Sequence, residues 1–193
     1  MHPLLKMLEG GDRRSIGRSN EAVARVLESP GLIGVLFDGM GSNDPLLAMR
    51  CADAAEKVTA LRPDLLQARK AALLGPLAQI EQKEVRWHVA PMLARLSLSQ
   101  AELERTVDIL LAWTNDRSSI VKALAMQALA DLALRNEKLR PAVLRHIREL
   151  VVIGTPAMKA RGRKLIDLLD PHKAATRPRR NSARAAHNPS VSQ

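Results

Sequence analysis

Aromatic residues are nearly missing from this chain, which holds no Tyr, one Phe and two Trp among 193 residues. A core must therefore be assembled from Leu, Ala, Val, Ile and Met. Together with abundant Arg, Lys and Glu, that palette favours helix over strand. The same scarcity removes the ring platforms on which unpaired bases stack. Cysteine is represented by Cys51 alone, which excludes an intramolecular disulfide and a cysteine-based metal cluster. Neither the opening MHPLLKMLEGGDRRS nor any later stretch has an apolar run long enough for a signal peptide or a membrane span. These absences give the expectation of a cytoplasmic protein with no membrane span.

Local catalytic signatures are missing too. There is no HExxH, CxxC or G-x-S-x-G, and the five histidines are scattered. The reading is a non-enzyme that needs no cofactor and no metal. The stretch GGDRRSIGRS, residues 10 to 19, imitates a glycine-rich phosphate loop. No strand pattern precedes it and no GKS or GKT follows, so it reads as a hinge.

What the chain has in excess is positive charge, with a formal net charge of +10. From Lys159 onward nine basic residues face two acids, a balance of +7, whereas the first 158 residues hold 21 basic and 18 acidic side chains, or +3. The basic character thus belongs to the end of the chain. Lys159, Arg163, Lys164, Lys173, Arg177, Arg179, Arg180 and Arg184 form a candidate anionic-surface site, able to contact nucleic acid without reading sequence.

The rest is organised by repetition. Four segments align: Leu47 to Val58, Val85 to Leu96, Val121 to Leu132 and Met158 to Leu169, their starts 38, 36 and 37 positions apart. Apolar or small residues recur four, seven, eight and eleven places into each, as in Cys51, Ala54, Ala55, Val58 and in Ala125, Ala128, Leu129, Leu132. Those offsets fall on one helical face. Second periodic segments follow over Pro63 to Ala78, Ser99 to Trp113 and Arg140 to Ile153, with Asp44-Pro45, Ser97 to Ser99 and Arg140-Pro141 as start signals. No stretch alternates with period two. The expected organisation is an N-terminal lead over 1–18, a capping helix pair over 19–41, a repeat array over 42–170 and a disordered basic tail over 171–193.

The V-R-x-x-A-A-x-A-L-x-x-L pattern, matched best from Val85-Arg86 and Val121-Lys122, with Asp44 and Asp116 ahead of their helices, resembles the HEAT repeat family, in particular short bacterial HEAT-repeat proteins. The resemblance covers Ser42 to Leu169. It departs from the pattern at Ala48, at Pro91, which should interrupt the second copy, and at Arg163. It implies an all-α, right-handed α-α superhelix of the HEAT-like, armadillo-type solenoid class, acting as a scaffold that binds a protein or peptide on its concave face. Second helices line that face in the family, which would place Glu102, Arg105, Asp108, Trp113 and Arg148 there. A weaker likeness to HEAT-like DNA glycosylases of the alkylation-repair type would cast Trp113, Asp116 and Arg148 as its tryptophan, acid and arginine.

One stretch holds a tryptophan beside a histidine: EVRWHVAPMLARL, residues 84 to 96. In the repeat frame Trp87 lies among packing columns and is expected to fill space between neighbouring helix pairs. His88 shares a mostly polar column with Arg50 and Arg161. A recognition patch of Arg50, His88 and Arg95 is the alternative to an ordinary solvated histidine.

Overall fold

The computed structural model describes residues 1–12 and 15–170, and among these there are helices and no strand. The tail residues Lys173, Arg177, Arg179, Arg180 and Arg184, and the expected disorder of 171–193, lie outside the described residues. Every segment aligned by the repeat is helical: α4 (Pro45–Leu61), α7 (Lys83–Arg95), α9 (Ser119–Arg135) and α11 (Pro156–Leu169). Ahead of them stand α1 (Pro3–Lys6), α2 (Ser19–Glu28) and α3 (Ile33–Gly39), the last entered through a 3-10 turn at Pro30–Leu32. Between them come α5 (Lys70–Leu74), α6 (Pro76–Gln79), α8 (Gln100–Trp113) and α10 (Arg140–Ile153).

Helices α2, α4, α7, α9 and α11 pack side by side as one row. Gln82 Nε2 donates to the Pro45 carbonyl at one end of the α4–α7 pair, and Arg95 pairs with Glu56 at the other, so these two helices run parallel. A second row is formed by α3 against α4, α5 against α7, α8 against α9, and α10 against α9 and α11. Helices in the middle of the first row are covered on several sides. In α9, Val121, Ala125, Met126, Ala128, Leu129, Ala130, Leu132 and Ala133 are all buried. Alanine at so many of these positions lets neighbouring backbones come close.

The caps are chemically explicit. Asp44 Oδ1 accepts from the Leu46 N–H at 2.9 Å, and Ser99 with Glu102 forms a reciprocal capping box at the start of α8. Asp116 does not cap α9 directly. Ser118 takes that position, and Asp116 Oδ1 instead accepts from the Ser118 N–H at 2.7 Å.

Two expectations are corrected. The segment from Pro63 to Ala78 is not one helix: it divides into a 3-10 stretch over Pro63–Arg69, then α5 and α6. Pro76 removes a donor and disfavours helical backbone at the residue before it, and Gly75 accordingly sits at φ −113°, ψ −111°. Pro91 does not interrupt its helix, because α7 runs through it from Lys83 to Arg95. The N-terminal lead is tied to the body of the chain. Leu4 and Leu8 are buried in the core, and the loop that follows closes around Arg50. The fourth aligned segment also has no second helix after it among the described residues. It packs against the preceding α10 and against α9.

Gly162 marks the tightest junction in the last pair. A Cβ there would lie 2.3 Å from Val151 Cγ2 and 3.1 Å from Met126 Cε. Alanine would gain about 1 kcal/mol of helix propensity over glycine, but overpacking of this kind costs about 1 to 3 kcal/mol. Gly162→Ala should therefore lower the melting temperature; an unchanged or higher midpoint in thermal unfolding would show that α10 and α11 are not held this closely.

Candidate binding grooves

Arg86, Trp87 and His88 do not form one patch, because consecutive residues on a helix point about 100° apart. Arg86 turns toward α8 and α9. Its Nε donates to the Ile80 carbonyl at 2.7 Å, its NH1 meets Asp116 Oδ2 at 2.5 Å, and its guanidinium lies 5.4 Å from the centre of the Trp113 ring. Asp116, only 8% exposed at its side chain, is thus held by Arg86 on one oxygen and the Ser118 N–H on the other. A surface recess of about 520 Å³ opens beside this cluster, edged by Glu81, Lys83, Asn115 and Arg117.

Trp87 and His88 line a groove between α4 and α7 with a volume of about 470 Å³. Its apolar wall is Ile16, Pro45, Leu46, Met49 and Trp87, and its charged lining includes Asp53 and Glu84. Trp87 is half-buried and packs against the core, with Nε1 3.4 Å from Ser118 Oγ at the start of α9. It therefore fills space between helices while leaving part of its ring open to the groove. Burial pushes the His88 pKa below its ordinary value, against the opposing pull of Asp53 and Glu56. Asp53 itself pairs with Lys57 at 2.7 Å.

Arg50 lies at the back of this groove and is 2% exposed, so it offers no free recognition head. Its guanidinium donates to the carbonyl oxygens of Leu8, Gly10, Asp12 and Ser15. Gly10, Gly11 and Gly17 adopt φ values of 69°, 83° and 56°, and a Cβ on Gly17 would fall 2.7 Å from Arg50 Cζ. The glycines that imitate a phosphate loop therefore serve the opposite charge, since the turn presents carbonyl oxygens to a buried cation. The glycine spacing was visible in the sequence; the cation 35 to 42 positions away was not.

A second groove lies between α9 and α11, with a volume of about 550 Å³, walled by Ile120, Leu124 and Leu168 and edged by Arg161 and Lys164. On the face of the second row, the opening around Val107, Leu111, Val143 and His146 is smaller, at about 280 Å³. Burial lowers the His146 pKa there, and its Nε2 lies 3.1 Å from Thr114 Oγ1.

The remaining sequence candidates are dispersed. Arg95 pairs with Glu56 at 2.5 Å and ties α7 to α4. Glu102 completes the Ser99 capping box and meets Lys70 at 2.8 Å; the Lys70 hydrogen bond, then the Ser99 N–H, hold its carboxyl down to about 2. Arg105 and Asp108 are exposed on α8. Trp113 is 4% exposed beneath Arg86, so it presents no open ring as a partner anchor. Trp113 and Asp116 meet at the shared Arg86, whereas Arg148 pairs with Asp170 at 3.3 Å, so the trio Trp113, Asp116 and Arg148 is not joined by one partner. On α11, Lys159 is half-buried and Arg163 and Lys164 are exposed. Cys51 is buried and unpaired, its thiol pushed up to about 12 by that burial. No group of three His, Cys, Asp or Glu side chains is placed to hold a metal among the described residues, and no helix there is long and apolar enough to cross a membrane.

Comparison with known protein families, curated proteins and solved structures finds no match for this chain.

The Arg86 cluster separates a structural arginine from a solvated one. Arg86→Ala leaves a nearly buried carboxylate without its cation and should cost about 3 kcal/mol, near the lower end for breaking a buried pair. Arg148, 56% exposed, pairs at the surface, and Arg148→Ala should cost less than about 1 kcal/mol. Urea unfolding of both variants checks the order; equal losses would contradict it.

Proposed function

We propose that this chain is a non-catalytic scaffold or adaptor, built as a right-handed α-α superhelix of the HEAT-like, armadillo type, that holds a protein or peptide. The observation that carries the reading is the pair of grooves between consecutive first-row helices, α4–α7 and α9–α11, where aliphatic side chains remain open beside charged ones. Repeat stacking produces such surfaces without any catalytic group. Ile16 and Ile120, at 43% and 48% exposure, retain apolar area that a partner would cover. The proposal puts the partner along the first row, where grooves of about 470 and 550 Å³ exceed the opening of about 280 Å³ around Val107 and His146, even though Arg105, Asp108 and Arg148 are exposed on the second row. A cytoplasmic setting belongs to the same proposal and is supported by the free Cys51 thiol.

Charge favours a second reading, sequence-independent contact with nucleic acid through the basic end of the chain. Its support is the balance of +7 from Lys159 onward. The alkylation-repair glycosylase variant of that reading lacks an accessible Trp113.

Peptide display against the immobilised full chain tests the scaffold directly. Enriched peptides should bind at least about tenfold less well to Met49→Asp or Leu168→Asp, since either change puts a charge on a groove wall that must be desolvated. No enrichment, together with excision of alkylated bases from duplex DNA by the same preparation, would replace the scaffold with the glycosylase.

A further inference from the structure

The two first-row grooves differ in charge. The α4–α7 groove carries the carboxylates Asp53 and Glu84. The α9–α11 groove has no carboxylate in its lining, and its charged side chains are Arg161 and Lys164. Arg161 NH1 donates to the neutral Gln127 at 3.2 Å, and Lys164 is exposed. Neither cation has a carboxylate partner in an ion pair among the described residues.

Beside these cations, between α9 and α11, lies an apolar trough. Ile120 is 48% and Leu168 37% exposed, Leu124 is half-buried, and Ala157 and Ala160 keep the α11 side shallow. The lining on α11 runs from Ala157 to Leu168, which at 1.5 Å per residue is roughly 16 Å, or about three helical turns. Apolar residues at i, i+3, i+4 and i+7 of a visiting helix would span that length.

We propose that the α9–α11 groove binds an acidic amphipathic helix of a partner protein. Its apolar stripe would lie on Ile120, Leu124 and Leu168, and its carboxylates would face Arg161 and Lys164. The charge complementarity selects the sign of the partner, because a basic segment would meet two like charges with nothing to offset them. This inference rests on the scaffold reading above and adds the chemistry of its ligand.

The test uses fluorescence anisotropy with the full chain and three labelled synthetic peptides of equal length. One is amphipathic with Leu on one stripe and Glu elsewhere, one has the same composition with the Leu residues scattered, and one is amphipathic with Lys in place of Glu. The first should bind, the second at least about tenfold more weakly and the third not at all, with the binding of the first weakened by added salt. Arg161→Glu/Lys164→Glu and, separately, Ile120→Asp should each weaken the first peptide by about tenfold or more while leaving circular dichroism and melting close to wild type. Three results would overturn the inference: unchanged affinity in both variants, equal binding of the scattered peptide, or self-association of the chain that Arg161→Glu/Lys164→Glu dissolves. Binding of the Lys peptide alone, lost in Met49→Asp, would sink this inference and leave the scaffold standing. If no amphipathic peptide binds and display also enriches nothing, both fall.

Discussion

The arrangement depends on how closely the first-row helices approach one another. Ala52, Ala54 and Ala55 on α4, Ala90 and Ala94 on α7, and Ala125, Ala128, Ala130 and Ala133 on α9 are all buried. Small side chains at these positions give up individual apolar area in return for many close contacts between neighbouring helices. Larger residues, among them Met92, Leu93, Leu110, Met126 and Ile147, fill the core alongside them. Side chains that these helices leave at least partly exposed, including Met49, Trp87, Ile120 and Leu124, line the troughs between them.

Polar ties then fix one unit to the next. Glu56 with Arg95, Trp87 with Ser118, Thr114 with His146, and Gln127 with Arg161 join residues 39, 31, 32 and 34 positions apart, close to the repeat length. The bonds from Arg50 to Leu8, Gly10, Asp12 and Ser15 span 42, 40, 38 and 35 positions. The N-terminal segment thereby occupies, relative to α4, the place that a preceding unit occupies relative to α7 or α9. A buried guanidinium requires such partners, because an unpaired charge in the interior is far costlier than the ordering of one short loop.

Much of this was legible in the sequence. The 36 to 38 residue spacing located α4, α7, α9 and α11, because apolar or small residues recur at the same offsets in every copy. The capping box at Ser99 and the Asp44-Pro45 start were readable because capping is local chemistry. The segment from Pro63 to Ala78 misled because its apolar spacing is helical on both sides of Gly75-Pro76, and periodicity does not register the missing donor. Arg50 looked like a member of a polar column, and only the fold brings the carbonyls of Leu8, Gly10, Asp12 and Ser15 to it. The sites were hardest to read for the same reason. Arg86, Trp87 and His88 are neighbours in sequence, yet they serve two different junctions, and the groove walls are shared by helices about 37 residues apart.

The central claim is that a partner lies between first-row helices and not across the second row. Methyl-labelled NMR spectra of the full chain, titrated with a peptide selected on it, would locate the contact. Shifts concentrated on Ile120, Leu124 and Leu168, or on Ile16, Leu46 and Met49, with Val107, Leu111 and Val143 unmoved, are the result this account predicts. Shifts centred on Val107, Leu111 and Val143 would place the partner on the second row and contradict it.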